Sequence, residues 1–207
     1  MRDPQITLWT LGHSTLAYAR FLELLRGAGV TAVADVRTSP FSRHLPQFNR
    51  DQLQSDLRRD GLAYSFLGKE LGGRPSDSRF YCDGVVDYER VAQSQAFASG
   101  LQRVMEGARK YSVALMCSER DPLDCHRCLL VARALAERGA AVRHILGDGA
   151  IAVQRELEAL LLQSEKLSDG DLFLSPQESL AQAYRQRARK VAFAEPPDAP
   201  AAHAAAE

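Results

Sequence analysis

The sequence predicts an α/β domain built on a mostly parallel five-stranded sheet with helices on both faces, and three observations carry that expectation. Short runs rich in β-branched and apolar residues alternate with stretches of helical periodicity along most of the chain. The run Val30–Val36 is apolar almost throughout, as strands buried on both faces are. Polar residues gather just after the carboxyl end of every such run, the end at which parallel sheets bind ligands.

Ile6–Leu11 reads as the first strand, closed by Gly12. Ser14 or Thr15 can cap a helix to about Arg26, with Leu16, Phe21, Leu22, Leu24 and Leu25 on one face and Gly27 and Gly29 ending it. Val30–Val36 is the second strand, followed by a proline-broken polar loop, Arg37–Phe48. Asn49 caps a helix to about Asp60, Gly61 ends it, and Ala63–Leu67 is the third strand. Gly68–Asp87 reads as a long loop, and helical pattern resumes over Tyr88–Ala108 with a break near Gly100. Ser112–Cys117 is the fourth strand. Asp124 can cap a helix over Cys125–Arg138, Ala141–Ile145 is the fifth strand, and a helix over Ile151–Gln163 completes the domain.

These elements bound one domain at residues 5–164. Residues 165–193 read as an extension in which Ser175-Pro-Gln-Glu178 has capping-box spacing and opens a basic helix to about Ala192. The Ala/Pro/Glu-rich stretch 194–207 has the composition of a disordered tail.

Composition excludes several classes. The 207 residues carry 26 Lys plus Arg against 26 Asp plus Glu, so no global charge draws the chain to nucleic acid or anionic membrane. The start lacks a secretory pattern, and no stretch approaches the roughly 18–20 apolar residues of a membrane span. Three of the four cysteines crowd into positions 117–128, unlike a secreted disulfide framework. A cytoplasmic protein with reduced thiols, and no membrane partner, is the expectation.

The sharpest chemistry lies between Cys117 and Arg127. Cys117 ends a strand, while Cys125, His126 and Arg127 fall in the first turn of a helix, where free N–H groups and the dipole favour a thiolate. Cys117 and Cys125 are the candidate nucleophiles, and Cys128 falls on the apolar helix face with Leu129, Ala132 and Leu135. A four-ligand site of Cys117, Cys125, His126 and Cys128 is disfavoured, because His126 and Cys128 lie about 200° apart around a helix. A two- or three-ligand site with His13 or Glu119 stays open, but no residue is assigned to a metal and no cofactor is identified. His126 or His13 can serve as acid/base, and Glu119 can orient a histidine or act as a base itself. Ser14, Asp35, Arg37, Arg43 and Arg127 are the candidate substrate binders; Asp35, ending a buried strand, needs a partner, for which Arg37 is nearest.

Leu11-Gly-His-Ser14, Asp35-Val-Arg37, Pro40-Phe-Ser-Arg43, Leu67–Gly73, Cys117-Ser-Glu119 and Cys125-His-Arg127 resemble the signature blocks of the bacterial and archaeal domain of unknown function numbered 488. The resemblance runs in order from about residue 7 to 150. It implies an intracellular α/β domain with its site at those polar blocks, and it implies no particular reaction. Asp35-Val-Arg37 after one strand and a cysteine after a later one are also similar in layout to rhodanese sulfurtransferases, which implies a rhodanese-like or other Rossmann-like three-layer arrangement. Arg127 follows Cys117 by ten residues across a loop with proline and three acidic residues, which departs from the tight phosphate-cradling loop of the phosphatase relatives of rhodaneses.

The leading functional expectation is an enzyme with a cysteine/histidine/arginine site acting on a small anionic or nucleotide-like substrate. One alternative is a nucleic-acid or nucleotide-binding module using Arg37–His44 and the basic helix. Another is a metal-dependent hydrolase.

Overall fold

The computed structural model describes residues 5–167 and 174–195. Strands β1 (Thr7–Gly12), β2 (Ala32–Asp35) and β3 (Ala63–Phe66) alternate with helices α1 (Tyr18–Gly27) and α2 (Arg50–Arg59). After β3 come a one-turn helix α3 (Gly68–Leu71), a hairpin of β4 (Tyr81–Cys82) and β5 (Val85–Val86), and helices α4 (Tyr88–Ala92) and α5 (Gln95–Ala108). β6 (Val113–Cys117) leads through a 3-10 turn, Pro122–Asp124, into a helix that opens with π geometry over Arg127–Ala132 and continues as α6 (Arg133–Glu137). β7 (Ala141–Ile145), β8 (Ile151–Val153), α7 (Gln154–Ser164) and α8 (Pro176–Val191) follow.

The main sheet has six strands in the order β3-β2-β6-β1-β7-β8, parallel except for β8, which runs antiparallel to β7. The expected mostly parallel α/β sheet is therefore present, with one strand more than the five anticipated. The additional strand is Ile151–Val153, which the helical reading of 151–163 had absorbed: the turn at Gly147–Gly149 folds these three residues back onto Ile145 before α7 begins.

Two apolar layers cover the sheet. Phe21 and Leu25 of α1 and Leu53 and Leu57 of α2 pack with Leu11, Val33 and Met116 on one face. Phe97 and Leu101 of α5, Leu129–Ala132, Leu161 of α7 and Tyr184 of α8 pack with Leu8, Leu115 and Val142 on the other. Each fully buried Leu or Phe of this kind contributes about 1.5–3 kcal/mol. The chain from β1 thus crosses one face on its way to β2, and the chain from β6 crosses the opposite face on its way to β7. β1 and β6 are neighbours, so the crevice between their carboxyl ends is a topological switch point, the place where such sheets bind ligands.

Local corrections follow from specific side chains. Helix α1 starts at Tyr18 rather than after Ser14 or Thr15, because Ser14 takes a left-handed φ of 44° and Ala17 is extended. Asn49 holds the capping position of α2, but its side chain accepts from Ser42 N at 2.6 Å instead. The helical stretch 88–108 breaks at Gln93–Ser94, where the Ser94 hydroxyl caps Phe97 N, while Gly100 lies inside α5 against Leu71. Asp124 is not the cap of the helix after β6; its carboxylate binds Arg187 of α8. The Ser175/Glu178 capping box of α8 is present. Ala183, Tyr184 and Ala188 of that helix are buried in the same cluster as α5, and beyond it Ala194 pairs with Val85. The expected disorder of 194–207 concerns mainly 196–207, which lie outside the described residues. No helix among the described residues is long and apolar enough to cross a membrane.

Candidate functional site

The β1–β6 pairing continues past both strands: His13 N donates to Cys117 O and Ser14 N to Ser118 O, each at 2.9 Å. This brings the Gly12–Ser14 and Cys117–Glu119 blocks side by side. On the far side of β6, Val36 N donates to Met116 O at 3.1 Å, which places Asp35–Arg37 against the same crevice.

Asp35 and Arg37 form a buried two-pronged pair, with Nε to Oδ1 at 2.9 Å and Nη2 to Oδ2 at 2.6 Å. The Tyr64 hydroxyl donates to Oδ2 at 2.8 Å. The remaining guanidinium nitrogen, Nη1, faces His13 Nε2 at 3.2 Å, and His13 Nδ1 meets Ser14 O at 2.9 Å. Arg37 can only donate and a carbonyl can only accept, so His13 is neutral with its proton on Nδ1. Burial, reinforced by the Arg37 charge, lowers this imidazole to about 4. Both ring nitrogens are engaged, and the ring stacks on Phe48 at 4.1 Å between centroids. His13 and Asp35 orient Arg37, and no free nitrogen of His13 faces substrate.

The second group is the chemical one. Glu119 Oε2 lies 2.9 Å from Cys117 Sγ and 3.0 Å from Cys125 Sγ, so one carboxylate oxygen accepts from both thiols. His126 Nδ1 lies 3.8 Å and 4.0 Å from the same two sulfurs. Its Nε2 donates to Val36 O at 2.9 Å. The four donor atoms of Cys117, Glu119, Cys125 and His126 all fall within 4.8 Å of one another. The set disfavoured from sequence contained Cys128; the set assembled by the fold has Glu119 in its place. Cys128 is buried among apolar neighbours, which push its thiol up to about 12. Cys82 is exposed and is not among the residues that line the cavity.

The two thiols are inequivalent. Burial, Cys125 and Glu119 all raise Cys117. Burial opposes ionisation of Cys125, but the neighbouring Cys117 thiol, the Arg127 charge and His126 outweigh it and hold this thiol well below its ordinary value. Backbone geometry contributes as well. Cys125 is extended (φ −136°, ψ 135°), its carbonyl accepts from Cys128 N and Leu129 N, and its Sγ accepts from Arg127 N at 3.4 Å. It therefore caps the helix through its own sulfur, one position earlier than the first-turn placement expected.

Arg127 is fully buried. Its Nη1 donates to Glu119 O at 2.6 Å and Nη2 to Arg120 O at 3.0 Å, so it pins the loop that carries Glu119. Gly12 lets this happen: a Cβ there would collide with the Glu119 carbonyl. Arg127 lies outside the cavity lining and holds the loop, whereas Arg37, paired as it is with Asp35 and His13, is part of that lining.

The centre opens on a cavity of about 600 Å³, whose wall includes Ser14, Arg74, Tyr88, Glu119, Arg120 and Phe193. Cys117 and His126 reach its floor, and Cys125 does not. Arg43 is exposed and outside this lining. Arg74, Tyr88, Arg120 and Phe193 carry no sequence signal of their own. The Arg74 guanidinium lies 4.8 Å over the Phe193 ring, which joins the C-terminal segment to the cavity wall.

A family model described as "Domain of unknown function DUF488" matches residues 17–134. That span includes every block of the centre except Gly12–Ser14, which immediately precedes it. No curated protein and no solved structure matches the chain.

Proposed function

The chain belongs to the DUF488 family, and from that premise we propose that it is an enzyme, of the hydrolase or group-transfer class, acting on a small anionic substrate at the Cys117–Glu119–Cys125–His126 centre. The observation that carries this reading is the shared carboxylate: Glu119 Oε2 lies 2.9 and 3.0 Å from two buried thiols, of which Cys117 reaches the floor of a polar cavity. A partly exposed carboxylate in that place is suited to move a proton between the centre and a bound molecule. Anion selectivity is supported by the side chains of Arg74 and Arg120 in the wall, with Ser14, Ser39, Ser42 and Ser118 as hydroxyl donors.

Direct attack by a thiolate is the weaker version of this chemistry. The thiol held in the ionised direction, Cys125, does not reach the cavity, and the one that does, Cys117, is pushed toward the neutral form. The nucleic-acid reading loses part of its basis too, because Arg187 pairs with Asp124 and Lys190 with Glu165. Four free cysteines fit a reducing compartment such as the cytoplasm.

The test is a turnover screen of the full chain on phosphate esters, carboxylic amides and esters, and nucleotide analogues, with Glu119→Gln and Cys117→Ser beside the wild type. Circular dichroism checks folding. Turnover that vanishes in Glu119→Gln supports the proposal. Wild-type protein that turns over nothing in the panel, with no anion shifting its melting temperature, counts against it.

A further inference from the structure

We propose that Cys117, Cys125 and His126 bind a divalent thiophilic transition-metal ion, zinc foremost, with Glu119 at the fourth, cavity-side position. This deepens the reading of the centre as the reacting site and rests on it.

The geometry is that of a ligand set. Zinc–sulfur and zinc–nitrogen or –oxygen bonds of about 2.3 and 2.0–2.1 Å in a tetrahedron separate donors by roughly 3.3–3.8 Å. The imidazole nitrogen already lies 3.8 and 4.0 Å from the two sulfurs. Glu119 is closer, at 2.9 and 3.0 Å, as an acceptor of S–H hydrogen bonds must be. Replacing those two protons by one cation requires a small outward shift of the carboxylate, and Glu119 is the one partly exposed member of the group.

The imidazole is set for the task. Because Nε2 donates to Val36 O, the proton is on Nε2 and the Nδ1 lone pair points at the sulfurs. Metal-bound histidines are held by outer partners of this kind. Gly73 fixes the ring from behind: a Cβ there would lie 2.7 Å from His126 Cγ.

Charge balance is an independent observation. Arg127 is fully buried, its Nε has no hydrogen-bond partner, and among the described residues no carboxylate pairs with it. A buried guanidinium is expensive unless a negative centre lies beside it. Two thiolates and a carboxylate around a dication leave one negative charge, which this guanidinium neutralises. The soft sulfur donors select zinc or ferrous iron over magnesium or calcium. A bound ion would supply Lewis acidity at the cavity floor where Glu119, the one partly exposed ligand, yields its position to a water or substrate oxygen.

Elemental analysis of the full chain, purified without chelators and after dialysis against zinc, is the direct test, with a cobalt-substituted sample read by absorption. Roughly one equivalent per chain is expected, with a thiolate-to-cobalt charge-transfer band that weakens in Cys117→Ser and in Cys125→Ser. Zinc affinity in Cys125→Ser should fall by more than the about 10–100-fold typical of losing an outer partner. Cys82→Ser and Cys128→Ser should leave the band unchanged. Wild-type protein that keeps less than about a tenth of an equivalent overturns the proposal. So does a folded Cys117→Ser/Cys125→Ser double variant that binds zinc as tightly as wild type. Stoichiometric zinc without turnover on any panel substrate sinks the enzymatic reading and leaves the ion site standing. Turnover by protein that takes up no zinc does the reverse.

Discussion

Arg127 and Glu119 meet through the main chain: the buried guanidinium grips the Glu119 carbonyl at 2.6 Å while the Glu119 carboxylate faces the two thiols. The same residue is thus anchored at one end and chemically presented at the other. Truncation of Arg127 to Met should release the loop. The two hydrogen bonds lost come from a charged donor, worth about 1.5–3 kcal/mol each, partly offset by relief of the buried charge. We expect a net loss of about 2–4 kcal/mol in urea unfolding, with faster modification of Cys117 by a thiol reagent. Unchanged stability together with unchanged Cys117 reactivity would show that Arg127 does not hold this loop.

The Asp35–Arg37 pair makes a different prediction. Asp35→Asn alone strands a buried guanidinium and should cost about 3–5 kcal/mol. Adding Arg37→Met removes the stranded charge and should recover a good part of that loss. A double-mutant cycle in urea measures the coupling, and additivity of the two changes would refute the pairing.

Gly73→Ala tests the seat of His126. Its methyl would press on the ring at 2.7 Å from Cγ. Overpacking of this kind costs about 1–3 kcal/mol. The melting temperature should drop modestly, and whatever activity the Glu119 screen reveals should fall much further. Equal activity in both proteins would show that the ring position is immaterial.

His144 sets part of the acid stability. It is fully buried, accepts from Thr10 Oγ1 at 2.9 Å and donates to Gln154 Oε1 at 2.8 Å, and burial lowers it to about 4 from an ordinary value near 6.5. Between those values the unfolded chain binds a proton that the folded chain refuses, so stability rises with pH across the window. The contribution is whole above about 6.5 and is lost as pH falls toward 4, amounting to about 3 kcal/mol. His144→Gln should flatten this limb of the stability curve, leaving a residual slope from His13, which is lowered in the same way. A variant with the wild-type acid limb would show that His144 titrates normally.

Much of the sheet was legible because the five parallel strands are apolar runs long enough to show their pattern. β8 was not: Ile151-Ala-Val153 is three residues directly joined to α7, and only pairing with Arg143–Ile145 distinguishes it from a helix start. The hairpin at 81–86 is shorter still. In the site, Cys117 and Cys125 were visible as chemistry, but their meeting on one oxygen of Glu119 depends on the path of the Ser118–Asp124 loop, which no periodicity encodes. Arg37 and Arg127 looked like anion binders because Arg in a strand-end loop so often is. Their partners are main-chain carbonyls, a neutral histidine and the aspartate two residues away, and only the folded structure reveals that Arg127 is buried away from the cavity while Arg37 reaches its lining already paired.

The C-terminal segment gives the cavity a wall drawn from outside the family match. Phe193 lines it under Arg74, Ala194 pairs with Val85, and α8 ties both to the core, while the matched region stops at residue 134. The cavity wall is therefore drawn from both the matched region and the stretch that follows it. A relative that kept the Cys117–Arg127 block but exchanged its ending would present the same centre behind a different doorway.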